Sequence, residues 1–318
     1  MSTTPSSALV GVGTSGGFVA GPAGGLVVAE TCESDGTLPG YRPGIGCILN
    51  ITRDHAELES LRRQFQAFAD QAGRLGVNGD CAEAMRCLGA SPHAGTAIVY
   101  AADAPANAAY EVIATGPDRA FGVLRLEGRD LDLDCAQPGR HSVQTAAAAA
   151  CVASALGVED VRISAAIAAF PGISRRFEVI GTSDTGIRVV DDYAHNADKI
   201  RAAIQAAQAG CDRLVATFLP HGYGPARFLR DELKDLLPRV LRPQDRFAYG
   251  PIFYAGGTVA KDVGSGDLAA DIGAHHAATK DDLVAWCCEQ ALPGDTVLIM
   301  GARDPDLGGL ARRVYALI

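Results

Sequence analysis

Three acids, Glu30, Glu33 and Asp35, crowd six positions directly after the apolar run from Gly25 to Ala29. An oxygen-rich cluster of that kind suits a hard cation such as Mg²⁺. A second polar turn, Asn50 to His55, follows the apolar run Gly46 to Ile51 and could bring His55 beside those acids; Asp54 in the same turn also reads as a cap for the next helix. Asp191, Asp192, Tyr193, His195 and Asn196 form a third, where adjacent aspartates could hold a ribose or a metal. Pro220 to Gly224, with His221 and Tyr223, and Met300 to Asp304, with Arg303, complete the set. Each turn sits where an apolar, strand-like run ends. In open α/β sheets ligands bind beyond the carboxyl ends of strands, so these turns are the places to look for chemistry.

The elements that must position them alternate. In the first half, strand-like runs at Gly25 to Ala29, Gly46 to Ile51 and Ala97 to Tyr100 flank a helical pattern from Glu57 to Leu75. Short strand patterns at Tyr110 to Thr115, Phe121 to Leu126 and Arg129 to Cys135 follow, then an alanine-rich helix opening at His141 and ending at Gly157, and a shorter one over Ile163 to Phe170. Pro171-Gly172 marks a break. Beyond it the spacing predicts strands over 175–179, 186–192, 213–218, 246–249 and 296–300, with helices over 197–208, 228–237, 280–289 and 307–317. That alternation is the pattern of βαβ units and a doubly wound domain. The predicted fold class is α/β in two domains, residues 1–173 and 174–318.

Composition narrows the function classes. The 318 residues carry 28 basic and 37 acidic side chains, a formal charge of −9, which argues against a nucleic-acid backbone or an anionic membrane surface as partner. The longest nearly unbroken apolar run, Ala146 to Val158, is shorter than the ~18 to 20 residues of a membrane helix. The first ten residues lack the basic start and apolar stretch of a secretory signal, so a cytoplasmic protein is expected. Nine scattered cysteines with no C-x-x-C pair fit that compartment and read as small buried hydrophobes.

Taken in order, the motifs resemble the Mur ligase family, most closely its branch that joins L-alanine to UDP-N-acetylmuramate. VVAETCESD is similar to that branch's acid-rich strand end, ILNITRDH to N-I-x-x-D-H, and PGRHSVQTAAAAACVASALG to the helix opened by G-x-H-N-x-x-N-A. FPGISRRFEVIG resembles the interdomain F-x-G-v-x-R-R-F-E, VVDDYAHNADKIRAAI the D-D-Y-A-H-x-P strand end, FLPHGYGPAR the P-H-R-Y-x-R-T turn, and VLIMGARDPD the last M-G-A-G-D loop. The resemblance implies a truncated central, ATPase-like domain followed by a Rossmann-like C-terminal domain. It also implies ATP-dependent amide formation through an acyl phosphate. By position, Glu30 and His55 would contact Mg²⁺, His141 would lie near the nucleotide, Arg176 would reach the phosphates and Asp192 would hold the ribose. His195, with Arg176, Glu30 and His55, would serve catalysis; His195, His221, Tyr223 and Arg227 would line the amino-acid side, with Arg303 and Asp304 on the substrate side of the last loop.

The departures carry their own expectations. The chain begins about halfway through the family's central domain, so the UDP-substrate domain and the P-loop are expected to be missing. A P-loop needs glycine amides around the phosphates and a lysine that reaches them. The nearest candidate, Gly13 to Phe18, lacks the lysine and runs into GGFVAGPAGG, a sequence that does not easily form the required helix, and the four lysines are Lys199, Lys234, Lys261 and Lys280. Ser142 and Thr145 replace the two asparagines of the nucleotide-side helix, Gly222 and Pro225 replace two arginines, and Arg303 replaces a glycine. Weak ATP binding follows, millimolar or none. Three functions remain open: a diverged binding, regulatory or scaffold protein; an amide ligase whose P-loop and UDP-substrate domain come from a partner chain; or a different enzyme that uses the acidic and histidine cluster with a metal and no nucleotide. The partners expected are a small molecule and either a second copy or a P-loop-bearing chain, with no nucleic acid and no membrane.

Overall fold

The computed structural model describes residues 25–53, 57–254, 256 and 258–318. They divide into two compact units, one built mainly from residues 25–114, 121–136 and 142–174, the other from 115–120, 137–141 and 175–318.

The first unit is a six-stranded sheet in chain order: β1 (Ile45–Ile48), β2 (Arg74–Asn78), β3 (Ile98–Ala101), β4 (Ala108–Thr115), β5 (Ala120–Leu126) and β6 (Arg129–Cys135). β1 through β4 pair in parallel. The turns after β4 and β5 are too short for a crossover, so β4, β5 and β6 form an antiparallel meander. Glu127 and Gly128 both have positive φ, 52° and 77°, as a tight primed hairpin turn requires. Helix α1 (Leu58–Gln71) buries Leu61, Phe68 and Ala69 and α2 (Ala82–Gly89) buries Ala84, Cys87 and Leu88 in one core with Ile48, Leu75 and Val77. At Gly46 a Cβ would stand 2.9 Å from the Phe68 ring, so glycine is what lets α1 lie close on β1. Helices α3 (Arg140–Ala155) and α4 (Asp160–Ala169) follow the meander.

Two expectations fail here. The helix predicted to Leu75 ends at Gln71, and the chain re-enters the sheet as β2. Gly73 passes so near the Gly44 carbonyl, 2.8 Å from an added Cβ, that the turn excludes a side chain. The strand expected at Gly25 to Ala29 is reduced, among the described residues, to a single bridge residue, Val27, which is 74% exposed. β-propensity is a fit to a half-buried pleated surface, and residues 26–30 are exposed.

The second unit is a doubly wound sheet ordered β11-β10-β9-β12-β8-β7. Its elements are β7 (Glu178–Thr182), β8 (Arg188–Asp192), α5 (Ala197–Gln208), β9 (Leu214–Leu219), α6 (Tyr223–Val240), β10 (Arg246–Tyr249), α7 (Ser265–Ile272), β11 (His275–His276), α8 (Lys280–Gln290), β12 (Thr296–Gly301) and α9 (Leu307–Leu317). Every pairing is parallel except β7 with β8. β9 and β12 are buried along their whole length. Along β12, Leu298 and Met300 face a core shared with α5, α6 and α7, while Val297 and Ile299 face one shared with α8 and α9. That two-residue alternation between two helical layers explains why both strands read as unbroken apolar runs. Each such buried side chain contributes roughly 1.5 to 3 kcal/mol of transfer free energy.

Candidate functional site

β12 lies between β8 and β9, so the strand order reverses there and the carboxyl ends of these three strands form the switch-point edge of the second sheet. The end of β8 is organised by the segment Arg175-Arg176-Phe177. Asp191 is fully buried, and its Oδ2 accepts from Arg175 Nε at 3.1 Å. Arg175 also donates to the Gly301 carbonyl at 2.8 Å, tying the end of β12 to the end of β8. Asp192 accepts from two backbone N–H groups, Phe177 to Oδ2 and Ala194 to Oδ1, both at 2.7 Å. Burial pushes its carboxyl up to about 6, against the lowering pull of those two donors and of Arg176.

Arg175 and Phe177 sit at φ 60° and 50°, left-handed conformations that cost non-glycine residues free energy. The resulting zigzag buries the Phe177 ring and brings the guanidinium carbons of Arg175 and Arg176 each to 5.0 Å from the centroid of the Tyr193 ring. Cations over an aromatic face are attracted by its quadrupole. The Tyr193 N–H donates to the Arg175 carbonyl at 2.7 Å, and the Tyr193 hydroxyl accepts from the Arg303 amide at 3.2 Å. One tyrosine thus gathers three arginine residues.

His195 is buried, with both ring nitrogens committed. Nδ1 lies 2.9 Å from the Tyr193 carbonyl and Nε2 3.2 Å from Lys199 Nζ. A carbonyl only accepts and an ammonium only donates, so Nδ1 carries the proton and Nε2 offers its lone pair. The His221 ring meets His195 edge-on at 5.3 Å. Asn196 caps α5 through the Lys199 N–H at 3.0 Å. After β9, Gly222 at φ 141° turns the chain into α6. Tyr223 meets Tyr254 edge-on at 5.4 Å, with Lys261 Nζ 4.5 Å from the Tyr254 centroid. Arg227 donates to the Ala260 carbonyl and to Asp262. Tyr223 and Arg227 therefore hold the segment after β10. In the last loop Asp304 is 1% exposed and takes Lys280 Nζ at 2.8 Å, while Lys280 also reaches Asp306 at 3.0 Å. Arg303, next to it, has φ 62°.

The structure gathers Arg176, Asp192, His195, His221 and Arg303 on this edge and gives Asp304 and Arg227 to loop anchoring. His141 opens the first turn of α3, its ring within 2.7 Å of where a Cβ on Gly139 would stand. Glu30 is exposed in a segment without strand structure, and His55, Asp54 and the glycine-rich residues 13–18 lie outside the described residues. Among the described residues no group of three or more His, Cys, Asp or Glu side chains could hold a metal ion. The donor set for Mg²⁺ is therefore not assembled in the described residues.

Sequence reasoning missed a polar lattice at the carboxyl ends of β1, β2 and β3. Asn78 donates to Asn50 at 2.9 Å, and Asp80 accepts from the amides of Ala102, Asp103 and Ala104 at 2.8 to 3.0 Å and from the Tyr110 hydroxyl at 3.3 Å. Its signal, Asn78-Gly79-Asp80, was there to find once Arg74 to Val77 is read as a strand rather than as the end of a helix.

Residues 175–303 match the domain described as Mur ligase, glutamate ligase domain. The UDP-N-acetylmuramate--L-alanine ligase of Gloeobacter violaceus is 33% identical over 289 residues, which cover 87% of this chain and 60% of that protein. The enzyme of the same name from Kineococcus radiotolerans is 33% identical over 79% of this chain and 61% of its own length. The chain thus spans about three fifths of these relatives. The crystal structure of UDP-N-acetylmuramate-alanine ligase from Thermotoga maritima superposes with a TM-score of 0.75 at 20% identity, covering 98% of this chain and 68% of that one. Sequence motifs in order, a doubly wound second unit and these likenesses agree, and the chain belongs to the Mur ligase family.

Proposed function

We propose that this chain is a diverged Mur ligase-type module that binds a phosphate-bearing small molecule at the switch-point edge of its second unit and has no independent ligase activity. The observation that supports the binding half is the platform of Arg175 and Arg176 on Tyr193, closed from below by the Arg175 to Asp191 pair. Arg176 offers a guanidinium fork to a phosphate. Asp192 keeps acceptor capacity for a sugar hydroxyl beside its two backbone donors, since each carboxylate oxygen has two lone pairs. His195 does not act as a base in this arrangement, because its Nε2 lone pair is turned to Lys199; it orients that ammonium instead. A nucleotide, where bound, would supply the phosphoryl group to be transferred. What supports the inactive half is the set of departures at positions where the resemblance places nucleotide and substrate contacts: Ser142, Thr145, Gly222 and Pro225.

A second reading is favoured by the intact His195 and His221 pair: an amide ligase completed by a second polypeptide that carries the P-loop and the UDP-substrate domain. In both readings the chain works as a homodimer or in such a hetero-complex, in the cytoplasm. Among the described residues no helix is long and apolar enough to cross a membrane. The test is ADP release by the purified chain given UDP-N-acetylmuramate, L-alanine, ATP and Mg²⁺. No turnover, with ADP or pyrophosphate still raising the unfolding temperature, is the expected result; turnover by the chain alone overturns it.

A further inference from the structure

Arg303 stands where the resemblance places a glycine, yet its backbone keeps φ 62°, the left-handed conformation that glycine adopts freely. Four ties hold it there. The Arg303 amide donates to the Tyr193 hydroxyl at 3.2 Å, and the Asp304 amide donates to the Ala302 carbonyl at 2.7 Å. Asp304 and Asp306 are both fastened to Lys280. These ties fix the backbone of Arg303 in a conformation that costs a non-glycine residue free energy, and strain held in this way points to a role for the residue.

The guanidinium itself is exposed. The acids of this edge are engaged elsewhere: Asp191 with Arg175, Asp304 and Asp306 with Lys280, Glu178 with Arg312, and Asp192 with two backbone amides. Among the described residues neither Arg176 nor Arg303 forms an ion pair. Tyr193 holds both, Arg176 on its ring and the Arg303 amide on its hydroxyl.

We propose that Arg303 is a second phosphate-binding arm, acting with Arg176 across Tyr193 to hold one phosphoryl group that carries two negative charges. This rests on the reading of the edge given above and adds to it a binding residue and the charge of its ligand. Two planar forks converging on one tetrahedral anion match its oxygens better than either alone. The phosphoryl group could come from a nucleotide or from an acyl phosphate.

Titration calorimetry with inorganic pyrophosphate tests this, on the wild-type chain and the Arg303→Gly, Arg303→Lys and Arg176→Met variants, with unfolding temperatures measured for each. Arg303→Gly is expected to weaken pyrophosphate binding by about tenfold or more while the unfolding temperature holds or rises, because glycine relieves the backbone. Arg303→Lys should recover part of the affinity. ADP and acetyl phosphate, run beside pyrophosphate, tell which source binds more tightly. Should Arg303→Gly bind as the wild type does while Arg176→Met loses the ligand, the second arm is wrong and the edge is still a phosphate site. If the wild type binds none of the three probes, both fail together.

Discussion

Asp192 shows how one side chain can be read for its chemistry and found also holding the backbone. Its two oxygens each accept from a different backbone N–H group, so an amide in its place would turn an NH₂ toward one of those donors. Asp192→Asn is therefore expected to destabilise the second unit by about 1 to 3 kcal/mol, the cost of a buried donor left unsatisfied, measurable by urea unfolding. The carboxyl titrates near 6 in the fold and near 3.8 when exposed. Because the folded value is raised, the folded chain holds this proton more tightly, and the stability it contributes is present below about pH 4 and lost as pH rises through about 6. Carboxyl NMR should place the midpoint near 6, and the difference in stability between wild type and Asp192→Asn should grow more negative for the wild type across that window. A midpoint near 4 would remove the burial argument.

At the scale of elements, close approaches decide what can change. A Cβ on Gly122 of β5 would meet the Glu111 carbonyl of β4 and the Val143 side chain of α3, both at 2.5 Å. Backbone cannot yield as a flexible side chain can, so Gly122→Ala is expected to cost about 1 to 3 kcal/mol, checked by thermal unfolding. Asn196→Ala, which removes the cap of α5, should cost about 1 kcal/mol. The same elements show what was legible in the sequence. Helices over 197–208 and 307–317 and strands over 129–135 and 246–249 coincide with their expected bounds because periodicity and end signals agree there. β2 and α2 were hidden because Ala72-Gly73 breaks an apolar pattern by turning it, without a proline or a polar run to mark the place. Of the site, Asp192, Tyr193 and His195 were legible from their strand-end position. The left-handed backbones of Arg175 and Arg303 were not, since nothing in an arginine announces that its φ is positive.

For the whole molecule, the consequence is that the core around α1 and α2 shares no residue with the two cores around the second sheet. Leu61 and Val77 belong to one, Val297 and Leu298 to the others around the second sheet. Multi-domain chains depart from two-state unfolding, so calorimetry is expected to show two transitions. Leu61→Ala should lower one and Val297→Ala the other, each by a few degrees, whereas a single transition moved equally by both would contradict it. Light scattering at micromolar concentration should give a mass above that of one chain if the chain pairs with itself, and adding a P-loop-bearing partner should raise it if it does not. β12, finally, is the penultimate element in chain order and yet the centre of its sheet, flanked by β8 and β9. During synthesis, then, roughly a hundred residues from Arg188 onward must leave the ribosome before the strand that joins the two halves of the sheet exists. A stop codon falling just before Thr296 would leave β7 with β8, and β9 with β10 and β11, as two ribbons with open edges, a species for proteases and chaperones rather than a shortened version of this fold.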